Sequence, residues 1–393
     1  SNCAAPPAAS NGGRNGAGAT TGSSATASGS DRELLRALDR VFTKDAIAVV
    51  VPAVPASILA VLLKAVGSPG VVRGVRERAC KAITNVAATL AAQPLLPTGS
   101  ANASKGAERA SPPRASVAAL LGEPLLLPAV CACLLAAEAS DPHQNLGLVP
   151  RAALRLLATV LAIGIPDAAL STRRAASPVV SVADPGEAAA GAAAAFRLRA
   201  AEGAEGADLV VELAALARRH GTDNAAAAQA ARALAALFAE PAACRVAAAP
   251  GVAHADRLSQ ALLGAAVCED QPTARYATAA VFHVMGDPET VAMLVPSRGS
   301  ATDRQRNVRL RALGRLLALL LAQEGEGPNT LPAILAVTTW LEVDSESARM
   351  LLRRQGNACV EDNLKVLAAR GGTVELRQAA SAALAALTAP LLS

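Results

Sequence analysis

Residues 273–284 read TARYATAAVFHV, and the same outline recurs at 75–86 (VRERACKAITNV), 226–237 (AAAQAARALAAL) and 376–387 (LRQAASAALAAL). Aligned, the four stretches carry a small residue at Ala79, Ala230, Ala277 and Ala380, and another at Ala82, Ala233, Ala280 and Ala383. An aliphatic residue follows at once (Ile83, Leu234, Val281, Leu384), and a second comes three residues later (Val86, Leu237, Val284, Leu387). Offsets of i, i+3, i+4 and i+7 share one face of an α-helix. Small side chains on that face let a neighbouring helix approach closely, and the aliphatics fill the groove between them. Weaker copies, RAALRLLATVL at 151–161 and VRLRALGRLLALL at 308–320, stand in the longer gaps. The pattern predicts a chain of repeated helices that bury a shared face by stacking.

Composition agrees. Hydrophobic residues make up 52% of the 393 and aromatics only 2%, the excess being largely alanine. Alanine is the best helix former and is depleted from strands, and little in the chain alternates with period two. An all-α fold is expected. The net charge of +5 with 18% charged residues is mildly basic, short of the dense Lys/Arg footprint of a dedicated nucleic-acid binder. Seven scattered cysteines (Cys3, Cys80, Cys131, Cys133, Cys244, Cys268, Cys359) make no disulfide framework. A reducing compartment is expected, cytoplasmic in the first instance and organellar in the second.

Low-complexity stretches divide the chain. Residues 1–30 are rich in Ser, Ala, Gly and Thr and read as a disordered tail. Residues 93–116 and 167–206 read as insertions, leaving helical repeats at 31–92 and 117–166 and a C-terminal repeat region at 207–393. The uncharged run Ala46 to Leu63 reaches membrane-spanning length. Pro52 and Pro55 break it, and lipid cannot replace the lost hydrogen bonds. Two buried helices are expected there and no membrane contact.

The repeated outline resembles the third helix of an armadillo repeat, where a run like AxxALxNLA closes each unit. The last unit is the most similar: ARMLLRRQGNACV at 348–360, a Gln355-Gly356 junction, EDNLKVLAAR, a Gly371-Gly372 break, then VELRQAASAALAAL. Pro250-Gly251 marks a comparable junction. The resemblance, which extends to the related HEAT repeats, implies a right-handed α-solenoid that binds a partner along its concave third-helix surface. That family grips extended peptides with asparagines on the third helix and tryptophans one turn earlier. Here the asparagine position holds Asn85, Ala236, His283 and Ala386, and the tryptophan position Lys81, Arg232, Ala279 and Ala382. The asparagine ladder is thus reduced to one member.

The residues singled out for partner binding are Lys81, Asn85, Arg232, His283 and a stripe of Arg304, Arg311 and Arg315, which share a helix face. An acidic protein partner suits them; RNA is the alternative, for a helical-repeat protein of an organelle. Sequence-specific RNA reading usually needs stacking rings, and six aromatics are few. Cys131 and Cys133 with His143 offer three residues of zinc-ligand type, yet residues i and i+2 diverge on a helix and no second pair completes the set. Cys244, His254 and Asp256 supply the residue types of a thiol triad without an oxyanion-hole signature. No P-loop, HExxH or GxSxG sequence occurs. The expectation is a non-enzymatic scaffold without metal, cofactor or small-molecule substrate.

Overall fold

The computed structural model describes residues 56–92, 117–135, 146–166, 187–219, 221–249, 253–295, 303–322, 329–354 and 360–389, with isolated positions at 33, 36, 40 and 170. The tail 1–30, the insertion 93–116, residues 46–55 and the Gln355-Gly356 junction lie outside them. Among the described residues the structure is all helical, and no strand occurs. The helices are α1 (Ala56–Gly67), α2 (Arg73–Ala92), α3 (Val117–Gly122), α4 (Leu126–Leu135), α5 (Leu148–Leu161) and α6 (Glu187–Ala201). Then come α7 (Gly203–Ala217), α8 (Asn224–Phe238), α9 (Pro241–Ala248), α10 (Ala253–Ala266), α11 (Gln271–Met285) and α12 (Pro288–Val291). The last five are α13 (Asp303–Ala322), α14 (Thr330–Val343), α15 (Ser345–Arg354), α16 (Val360–Arg370) and α17 (Val374–Thr388).

Packing follows a rule of three. Helices α2, α5, α8, α11, α14 and α17 each lie against the next member of that series. Helices α1, α4, α7, α10, α13 and α16 form a second series in the same way, and each packs on the first-series helix that follows it in the chain. Helices α3, α6, α9 and α12 make a third string. One hydrophobic core runs from Leu59 to Leu387 between the layers.

The repeated outline lies in the first series, and its buried face is the one the spacing implies. Ala79, Ala82, Ile83 and Val86 of α2, Ala230, Ala233, Leu234 and Leu237 of α8, and Ala277, Ala280, Val281 and Val284 of α11 are all closed to solvent. In α17, Ala380, Ala383 and Leu387 are buried and Leu384 partly so. Helix α5 fits with Ala153, Leu156, Leu157 and Val160. The copy at 308–320 belongs elsewhere: it lies in α13, a second-series helix. The first-series place is taken by α14, with Ala333, Ala336, Val337 and Trp340 in the four positions. A tryptophan in the last aliphatic place hid it.

Residues 187–206, read in the sequence as part of an insertion, hold α6 and the start of α7. Phe196 anchors α6 in the core and Arg197 is buried beside it. Several helix starts are set by polar caps, whose side-chain oxygens satisfy the first free amides. Asp223 accepts from Ala226 N (3.1 Å), Asp270 from Thr273 N (3.1 Å) and Thr373 from Leu376 N (3.1 Å). Gly221, at φ +94°, makes the turn into α8, a backbone conformation that costs side-chain-bearing residues strain. No helix among the described residues is long and apolar enough to cross a membrane.

Candidate binding surface

Many of the arginines are structural. Five helix C-termini among the described residues are closed by a guanidinium from a neighbouring helix, where free carbonyls and the helix dipole favour a cation. Arg76 of α2 donates Nε to Val66 O at the end of α1 (2.9 Å). Arg197 of α6 donates to Leu161 O (2.9 Å) and Ile163 O (2.5 Å) at the end of α5, and Arg199 to Leu121 O at the end of α3. Arg349 and Arg353 of α15 reach Ala386 O (3.0 Å) and Leu387 O (2.6 Å) of α17. Arg377 of α17 closes α16 through Gly371 O. Arg306 and Arg309 of α13 are buried and ion-paired with Asp344 and Asp256. Arg349 and Arg353, which precede the Gln355-Gly356 junction, are therefore occupied.

The repeat register picks out a different set. Two residues after the first small position, the first series presents Lys81, Arg155, Arg232, Ala279, Leu335 and Ala382. Lys81 and Arg155 are exposed and Arg232 is half-buried; Ala279 is buried, and Leu335 is 53% exposed. One turn on, Asn85, Thr159, His283, Thr339 and Ala386 are half-buried, while Ala236 is closed to solvent. Lys81 pairs with Glu77 one turn earlier (2.6 Å), an exposed contact worth little. The structure thus sets Lys81, Asn85, Arg232 and His283 at matched positions on α2, α8 and α11, and adds Arg155 of α5 between them. Arg155 escaped the sequence reading because Leu156 stands where the outline asks for a small residue.

Arg304, Arg311 and Arg315 are exposed but sit on α13, in the second series. They share no helix layer with the other candidates. Arg304 lines a cleft of about 430 Å³ between α10 and α13, together with Leu263, Val267, Val308 and Ala312.

The cysteine groups separate as well. Cys131 and Cys133 are buried in α4, and His143 lies outside the described residues. Among those residues no group of three or more His, Cys, Asp or Glu gathers that could hold a metal ion. Cys133 instead faces α2, where its sulfur accepts from Arg76 Nη2 (3.2 Å) and neighbours the buried Cys80 thiol. Its thiol form donates to Val66 O (3.3 Å). Hydrogen bonding to Cys80, helped by the charge and the hydrogen bond of Arg76 and working against burial, pulls the Cys133 thiol below its ordinary value. The bond to Cys133, with burial behind it, pushes Cys80 up. Cys244 is a contrasting case: burial pushes its thiol up to about 12, the nearby Thr290 hydroxyl offsetting only part. Asp256, the acid considered beside it, is engaged by Arg309.

A scan against protein-family models and a search of curated proteins found no match to this chain.

Proposed function

We propose that the chain is an armadillo-like α-solenoid acting as a scaffold, which holds an extended acidic protein segment across α2, α5 and α8. The three-helix period of the packing supports the solenoid reading, since such units cannot bury their faces alone and stack. The observation that carries the partner's chemistry is the series Lys81, Arg155 and Arg232, one cation at the same register position on three successive helices of one layer. Packed helices stand about 8–10 Å apart. Cations at that interval meet side chains three residues apart on an extended polyproline-II-like segment, whose repeat of about 9 Å returns every third side chain to one face, and they match carboxylates spaced along it. Half-buried Asn85 and Thr159 stand one turn on, and the Thr159 hydroxyl, which donates to Arg155 O (2.8 Å), keeps oxygen lone pairs that can accept from a peptide amide. The surface changes character further along, where Ala279 and Leu335 replace the cations.

Fluorescence anisotropy of a labelled Glu/Asp-rich peptide against the purified chain tests this. Binding is expected at low salt, weakening as salt rises. The triple reversal Lys81→Glu, Arg155→Glu, Arg232→Glu is expected to weaken it at least about tenfold, roughly 1.4 kcal/mol. Retained affinity in the triple variant, or a single-stranded RNA that outcompetes the peptide, overturns the reading.

A further inference from the structure

Arg76, Cys80 and Cys133 form one cluster where α1, α2 and α4 meet. The half-buried Arg76 guanidinium spends Nε on Val66 O (2.9 Å) and Nη2 on Cys133 Sγ (3.2 Å). It has no carboxylate partner among the described residues. A cation so placed favours the charged form of the nearest acid, and the acid in contact with it is the Cys133 thiol. Cys80 is buried one turn along α2 from Arg76, on the helix face that meets Cys133, and the two thiols act on one another's ionisation. A thiolate beside a cation and within reach of a second thiol is the arrangement from which disulfides form. Desolvation argues for two inert core thiols, as at Cys244. The guanidinium separates the two cases, because Cys244 has an exposed Arg245 already engaged by Asp287 (2.6 Å).

We propose that Cys133 and Cys80 are a redox pair: Cys133 is the thiolate that a hydroperoxide oxidises, and Cys80 resolves it to a disulfide joining α2 to α4. The Cys133 thiolate attacks one peroxide oxygen, the O–O bond breaks, and Cys133 becomes a sulfenic acid as hydroxide leaves. That hydroxide takes the Cys80 proton and becomes water. The Cys80 sulfur then attacks the sulfenic sulfur, the S–S bond forms, and the departing hydroxide takes up the proton that Cys133 first gave away. Two thiols lose two electrons in all, and hydrogen peroxide becomes two waters. Both sulfurs are buried, so the pair admits an oxidant close to water in size and shuts out bulky disulfide reagents.

The test is peroxide treatment of the reduced, full-length chain at neutral pH, followed by alkylation in denaturant and non-reducing peptide mass spectrometry. A Cys80–Cys133 linked peptide is expected, while Cys244 and Cys268 stay reduced. In Cys80→Ser, Cys133 is expected to be trapped as a sulfenic acid by dimedone added with the denaturant. Arg76→Gln should slow Cys133 oxidation about tenfold or more, and Arg76→Lys should recover most of the rate. Should Arg76→Gln unfold, the wild-type rate decides between about pH 7 and pH 9. A flat profile supports a preformed thiolate, and a rate that climbs with hydroxide overturns it. Oxidation of Cys268, Cys131 or Cys244 ahead of the pair overturns it equally.

Discussion

Asp223 ties three segments with one carboxylate. It caps α8 through Ala226 N (3.1 Å), accepts from Leu146 N (2.9 Å) ahead of α5, and receives Arg151 Nη2 (2.8 Å). Burial works against its ionisation, but the two amides and the guanidinium outweigh burial and hold the carboxyl below the usual range. Asp223→Ala removes a cap worth about 1 kcal/mol and strands a buried amide at about 1–3 kcal/mol. A loss of about 2–4 kcal/mol is therefore expected in urea denaturation. Asp223→Asn, which keeps a cap oxygen, should lose less. Because the folded value is depressed, this stabilisation is full above about pH 4, the unfolded carboxyl's value, and drains away as pH falls through the lower folded one. The difference between wild type and Asp223→Asn should accordingly shrink in acid. The cap itself was readable, an aspartate just before an alanine run; its long-range partners Leu146 and Arg151 were not. The same holds for Cys80 and Cys133, which no local spacing relates.

For the helices, legibility tracked the side chains that fill the shared face. Where alanine and an aliphatic occupied it, as in α2, α8, α11 and α17, the periodicity showed. Helix α14 escaped because Trp340 replaces the aliphatic and Pro332 interrupts the run, and α13 offered a convincing leucine face that belongs to the other layer. Helix α6 was masked by a Gly/Ala-rich composition that reads as linker, although Phe196 and Arg197 are inward-facing. The importance of the small positions can be measured. Ala233 is closed to solvent on α8 and Ala382 is exposed on α17. Leucine and alanine differ little in helix propensity, so Ala233→Leu isolates packing, with an expected cost of about 1–3 kcal/mol from overfilling. Ala382→Leu should be nearly neutral. Equal effects at the two sites would mean that close helix approach does not rest on the small residue.

At the scale of the whole molecule, the mild basic excess has two destinations. Among the described residues some cations close helix ends or form the buried pairs of Arg306 and Arg309, while Lys81, Arg155 and Arg232 stand in one layer and Arg304, Arg311 and Arg315 in another. The two outward sets can be told apart. Reversing Arg304, Arg311 and Arg315 to glutamate is expected to leave acidic-peptide affinity within about twofold beyond general screening, because α13 lies outside the layer of α2, α5 and α8. A loss as large as that of the first-series triple would place the partner on the second layer instead. The arginine closures also bear on how the stack responds to load. A guanidinium carries five donors and can exchange one carbonyl oxygen for the next with little loss, whereas interdigitated leucines must climb out of their grooves to slide. Each closed helix end is thus a joint that resists being pulled apart and yields to shear. Neighbouring helices joined this way are expected to slide by small steps without exposing the core between them.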